Sequence, residues 1–236
     1  MARRLVSAIG ILLSSIIGSL LAILVWPFQA HGRISFQISR EWARFILWSG
    51  GVEVQVRYSC ELPDDTYVFV ANHSSNLDIW LLLAHLKRDF RFISKKEWGR
   101  LPLFGWAMRA ADMIFLDRGN SRSARKSIIQ AAATIRGGRS IVLFPEGSRS
   151  STGELREFKR GAIHLALRAR AALVPIAIKD AFFLMPPGRF SILPGKVIVA
   201  VGKPIETSSC TIDDRHSLAD SARQQIRSML DEAEAS

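Results

Sequence analysis

From Val52 onward, short apolar runs rich in β-branched residues alternate with stretches of helical period, and this alternation limits the fold more than any other feature of the chain. Val52–Tyr58, Tyr67–Ala71, Phe90–Ser94, Met113–Leu116, Ser140–Phe144, Leu173–Lys179 and Lys196–Gly202 read as strands. Ile79–Leu83, Ser121–Arg136 and Phe158–Arg170 read as helices set between them and Ile212–Leu230 as one that follows the last, with Gly137–Gly138 stopping the second. Strands separated by helices call for crossover connections, so residues 51–236 are expected to form one α/β domain. Its sheet is a largely parallel mixed one, flanked by helices. No internal repeat or low-complexity tract interrupts it.

The N-terminus is different in kind. Arg3 and Arg4 precede a run from Leu5 to Phe28 that holds no charged residue, long enough for the roughly 20 residues that cross a bilayer core. It is too long for a signal-peptide core and lacks a small-residue cleavage site, so a retained hydrophobic helix over 5–28 is expected, either spanning or dipping into the membrane. Ser14, Ser15, Gly18 and Ser19 place small residues at helical spacing, which admits close packing by another helix. After His31–Gly32, residues 33–48 carry Arg33, Gln37, Arg40 and Arg44 along one stripe. Ile34, Ile38, Trp42, Phe45, Ile46 and Trp48 cover much of the rest. That is the pattern of an amphipathic helix in a membrane interface, or of one packed on the domain. Residues 1–50 thus read as a two-helix membrane anchor. If the first segment spans, the heavier basic load behind it places the domain on the cytoplasmic face of the membrane, the inner or plasma membrane if the source is bacterial.

The chemistry concentrates in Asn72–His73–Ser74–Ser75–Asn76–Leu77–Asp78. Its polar residues turn the chain out of one strand and cap the helix that follows. His73 then stands at a strand's carboxyl end and Asp78 in a first helical turn. A carboxylate on one ring nitrogen fixes the tautomer and leaves the other nitrogen able to take a proton from a hydroxyl. Arg118, just past Ile114–Phe115–Leu116–Asp117, and the loop Phe144–Pro145–Glu146–Gly147–Ser148–Arg149–Ser150 also follow strands. In open α/β sheets ligands bind outside those ends, so these residues are expected to meet at one mouth. Gly147 lets backbone approach a ligand, and Arg149 offers a planar fork of donors suited to phosphate.

Composition narrows the partners. Lys+Arg 32 against Asp+Glu 21 leaves a formal charge of +11, which calls for an anionic partner. Nucleic acid and an anionic lipid surface both qualify, but no nucleic-acid module is evident. Cys60 and Cys210 have neither metal-ligand nor disulfide-framework spacing, and no metal site or P-loop is present in the sequence.

Asn72–Asp78 resembles the first conserved box, NHx4D, of the glycerolipid acyltransferases. Ile114–Arg118, Phe144–Ser150 and Val174–Pro175–Ile176 resemble that family's second, third and fourth boxes, in the same order. Lys95–Lys96–Glu97, Pro102–Gly105 and Phe158–Gly161 are similar to its connecting segments. The Pro-Glu-Gly-Ser-Arg form is most similar to the 1-acylglycerol-3-phosphate acyltransferases. One departure is Asp112, where the family usually has glycine. The resemblance implies an enzyme without cofactor or metal that moves a fatty acyl group from acyl-CoA or acyl carrier protein to the sn-2 hydroxyl of lysophosphatidic acid in an anionic membrane. It also implies His73 as general base oriented by Asp78, with Arg118, Glu146, Gly147, Ser148, Arg149 and Lys95 around the glycerol phosphate. Glu146 is an odd ligand for a dianion, so it is expected to hold a glycerol hydroxyl or orient an arginine. No G-x-S-x-G elbow occurs, which favours direct attack on the thioester over an acyl-enzyme. Glycerol 3-phosphate, another lysophospholipid or a lyso-aminolipid are alternative acceptors. A basic membrane-binding protein without catalysis is the reading from another class.

Overall fold

The structure, a computed structural model, describes residues 2–117, 121–159 and 161–233. Seven strands form one sheet: β1 (Val52–Tyr58), β2 (Val68–Ala71), β3 (Phe90–Lys95), β4 (Ile114–Leu116), β5 (Ser140–Leu143), β6 (Leu173–Lys179) and β7 (Gly195–Val201). Their order is β1-β7-β6-β2-β5-β3-β4, with every neighbouring pair parallel except β6 and β7. The mixed sheet expected from the alternation is therefore present. Five parallel strands, β2 to β6, deliver their carboxyl ends to one edge.

Eight α-helices accompany the strands among the described residues: α1 (Ala2–Leu24), α2 (Arg33–Gly50), α3 (Leu77–His85), α4 (Phe104–Ala110), α5 (Ser121–Arg136), α6 (Gly161–Ala169), α7 (Ala181–Leu184) and α8 (Arg215–Glu232). The period-two alternation of the strands sorts them into layers. Phe69 and Ala71 of β2 point to the face covered by α2 and α3, where Phe36, Ile46, Leu47, Leu77 and Leu81 are buried. Val68 and Val70 point to the opposite face, against α5, α6 and α8, where Ala131, Ile135, Ile163, Leu165, Leu218 and Ala222 close a second core. Burying such side chains on both faces removes about 1.5–3 kcal/mol of exposure cost for each large one. That is why the inner strands carry hardly a polar residue.

The N-terminal pair forms an antiparallel hairpin. Gly18 of α1 faces Trp42 of α2 with room for no more than ordinary contact, and Ser35 Oγ donates to the Ala22 carbonyl at 2.8 Å. The small residues of α1 thus meet α2. The first helix does not run to Phe28. It stops at Leu24, and Trp26–Phe28 form a single tight 3-10 turn that Pro27, which has no amide hydrogen to give an α-helix, helps set. Among the described residues no helix is long and apolar enough to cross a membrane. The basic stripe of α2 is partly turned inward as well. Arg40 donates to the Leu86 and Arg88 carbonyls beyond the C-terminal end of α3, and Arg44 pairs with Glu41. Meanwhile Leu12, Leu13, Ile17, Leu20 and Leu24 of α1, Trp26 and Phe28 of the turn, and Phe45 and Trp48 of α2 stand exposed.

Candidate active site

Where β2 ends, the sequence turns polar and the chain must leave the sheet. His73 is the second residue out. Its Nδ1 lies 2.8 Å from Asp78 Oδ2, and the same oxygen accepts the amides of Ser74 and Ser75, each at 2.8 Å. Asp78 is fully buried in the first turn of α3, where the helix's positive end favours a carboxylate. Ser75 completes the turn: its Oγ accepts from the Leu77 amide at 3.0 Å and donates to the Met185 carbonyl at 2.6 Å. Because a carboxylate only accepts, the proton on Nδ1 faces Asp78, and Nε2 is left as the basic nitrogen. The His73 side chain keeps 13% of its surface exposed, enough for a substrate hydroxyl to reach one edge of the ring.

The loop after β5 closes over this turn. Glu146 is buried, and its carboxylate accepts from the His73 amide at 2.8 Å through Oε1 and from the Arg156 amide at 3.3 Å through Oε2. Burial raises its pKa from the ordinary carboxylate value, against the pull of those two bonds and of the His73 and Arg156 charges. The Ser150 amide donates to the His73 carbonyl at 2.7 Å. Phe144 lies flat against the imidazole, ring centroids 3.9 Å apart and planes 13° from parallel. Gly147 sits at φ +80°, and a β-carbon there would come within 3.0 Å of the Lys159 side chain, so the position favours glycine. Arg149 donates to Asn76 Oδ1 at 2.9 Å, and Arg156 donates to Ser148 Oγ at 2.7 Å.

Of the expected residues, His73, Asp78, Glu146, Gly147, Ser148 and Arg149 are thus brought together. Glu146 spends both carboxylate oxygens on backbone, the amides of His73 and Arg156. Lys95 is exposed at the end of β3, on the same sheet edge but beyond β5 from His73. Lys96 beside it pairs with Asp117 at 3.0 Å. Arg118 lies outside the described residues. Asn76, Phe144, Arg156 and Lys159 were not singled out as site residues. The clue was the length of the loop after β5, enough to fold back on the His73 turn. Among the described residues no group of three or more His, Cys, Asp or Glu side chains is placed to hold a metal ion. A histidine with one nitrogen held by a buried carboxylate, beside a glycine turn and an arginine, can deprotonate a hydroxyl carried by an anionic molecule.

Residues 53–179 match the family model described as Acyltransferase. The chain is 37% identical over 169 residues to a 1-acyl-sn-glycerol-3-phosphate acyltransferase of Chlamydomonas reinhardtii, covering 71% of this chain and 49% of that protein. With a chloroplastic enzyme of the same description from Arabidopsis thaliana the identity is 32% over 229 residues, covering 96% and 62%. The chain spans about half to three-fifths of the length of these relatives. Among solved structures, a 1-acyl-sn-glycerophosphate (LPA) acyltransferase from Thermotoga maritima superposes with a TM-score of 0.79, covering 97% of this chain and 96% of that one. At 22% identity that likeness is one of fold.

Proposed function

This chain belongs to the acyltransferase family, and from that premise we propose that it acylates the sn-2 hydroxyl of 1-acylglycerol 3-phosphate with a fatty acyl thioester, yielding phosphatidic acid. The observation that carries the chemistry is the 2.8 Å bond between His73 Nδ1 and the buried Asp78 carboxylate. His73 Nε2 takes the proton as the acceptor oxygen attacks the thioester carbonyl carbon. The C–S bond then breaks, and the leaving thiolate recovers the proton from the imidazolium, whose charge Asp78 has balanced meanwhile. Arg149, the backbone around Gly147 and, by family resemblance, Arg118 take the glycerol phosphate. The donor is acyl-CoA or an acyl carrier protein.

The exposed apolar side of the hairpin supports a place on a membrane. Leu12, Leu13, Ile17, Leu20, Leu24, Trp26, Phe28, Phe45 and Trp48 make a surface of a kind that water-facing domains seldom present. A lysolipid would cost about 0.8 kcal/mol per methylene if its chain were pulled into water. A site resting on the bilayer avoids most of that. The net charge of +11 suits an anionic leaflet.

The test is acyl transfer by the purified protein in mixed micelles, given one labelled thioester and a panel of acceptors. Lysophosphatidate should be acylated fastest, and His73→Ala should abolish turnover while leaving vesicle binding intact. Preference for glycerol 3-phosphate, another lysophospholipid or a lyso-aminolipid would change the acceptor. Full turnover in His73→Ala would end the general-base reading.

A further inference from the structure

The single bond from Asp78 fixes which nitrogen of His73 is free, but it does not fix the plane of the ring. A ring held at one nitrogen rocks about that axis and swings the opposite nitrogen out of line. Two features of the loop after β5 remove this freedom. Phe144 stacks on the imidazole, with Phe92 behind it at 6.0 Å and 17° from parallel, so three rings form one pile. Beneath them the Glu146 carboxylate holds the His73 amide while the Ser150 amide holds its carbonyl. The base is therefore gripped at its ring face and on both sides of its backbone by one loop.

We infer that Phe144 and Glu146 are positioning residues for His73, and that Glu146 serves the reaction through the base rather than by touching the acceptor. The inference rests on the reading of His73 as general base. It follows from where the carboxylate oxygens go: each accepts a backbone amide, on His73 and on Arg156. One and three residues beyond Glu146, the same loop carries Gly147 and Arg149. The segment that receives the anionic head of the acceptor is thus also the segment that aligns the base. A misplacement near 1 Å at such a base costs up to about 100-fold in rate.

Phe144→Leu keeps an apolar side chain but removes the flat face, whereas Phe144→Tyr keeps it. The expected result is a kcat about tenfold lower for the leucine variant, with KM for lysophosphatidate within about twofold of wild type, and most of the rate restored by tyrosine. Glu146→Gln can satisfy one amide but not both, so it too should lower kcat with KM nearly held. Where the leucine variant does not fold, as judged by circular dichroism, Phe144→Met makes the same comparison. Wild-type turnover and its loss in His73→Ala are measured first. Turnover surviving in His73→Ala would remove the base reading and this inference with it. If His73→Ala is dead but Glu146→Gln raises KM at unchanged kcat, or Phe144→Leu turns over like wild type, the inference alone fails.

Discussion

The side-chain amide of Asn72 pairs with the backbone of Ile178 on both its faces: Nδ2 donates to the Ile178 carbonyl at 2.8 Å, and Oδ1 accepts the Ile178 amide at 2.7 Å. It thereby extends the β2–β6 ladder one rung past Ala71 and fixes the point at which His73 leaves the sheet. Alanine would strand two buried backbone groups at about 1–3 kcal/mol each. Aspartate should be worse at neutral pH, because it keeps an acceptor for the amide but turns a buried charge on the carbonyl. Urea denaturation should therefore rank wild type above Asn72→Ala above Asn72→Asp. Acidification should narrow the last gap, since a protonated carboxyl can again donate. A wild-type midpoint in Asn72→Ala would show that the rung contributes nothing.

Among the described residues, all three bonds to Asp78 converge on Oδ2, while Oδ1 is buried without a hydrogen-bond partner. Asparagine can place its own oxygen at Oδ2 and reproduce the geometry without the charge. Asp78→Asn and Asp78→Ala therefore separate orientation from electrostatics. The asparagine variant should fold and lose about 10²–10⁴ in kcat, the scale on which a carboxylate supports a catalytic imidazole. Alanine should cost as much or more and also loosen the turn. Equal, wild-type-like turnover in both variants would leave the carboxylate without a part in the chemistry.

The alternation of apolar strands and helices made the α/β sheet legible, down to the ends of β1 and β6, because local period and burial act together there. His73 and Asp78 were legible for a similar reason: five residues across one turn leave little freedom. What lay hidden depends on contacts distant in sequence. Glu146 is an acidic residue in a basic loop until the fold shows it on the His73 amide. Asn72 looks like a turn residue and works as a strand. The 5–28 run is uniform in hydrophobicity, which marks no end, so the turn at Trp26–Phe28 could be found only from Pro27 and the returning helix. Short α4 and α7 carry too few residues for a period to emerge.

His85 gives the fold a pH dependence of definite sign. It lies partly buried in the last turn of α3, a place where a helix normally welcomes positive charge. Burial, with Arg44 and Arg40 of α2 nearby, overrides that and holds its pKa below the ordinary 6.5. Between that lowered value and about 6.5 the unfolded chain binds more protons than the folded one, so stability falls as pH falls through this window and is unaffected above it. The urea midpoint of wild type should drop as pH falls below about 6.5, and His85→Gln should flatten that slope. An unchanged slope in the variant would assign the dependence to other groups.

Asp112 occupies a backbone position, φ +57°, that suits glycine, the residue that the family resemblance implies there. A side chain in this region costs about 1–2 kcal/mol, less for aspartate than for most residues. Some of that returns through Arg139, whose guanidinium lies 2.5 Å from the carboxylate and also donates to the His31 carbonyl at 3.3 Å. Arg91 donates to the same carbonyl at 2.8 Å, so the linker between α1 and α2 is tied to the base of the sheet by two arginines. Asp112→Gly should relieve the backbone while giving up a partly buried ion pair worth about 1 kcal/mol, and should stay within about 1 kcal/mol of wild type. Asp112→Ala loses the pair and keeps the strained φ, so it should fall about 1–2 kcal/mol below. Denaturant midpoints that placed alanine level with or above glycine would mean that neither the strain nor the pairing governs this position.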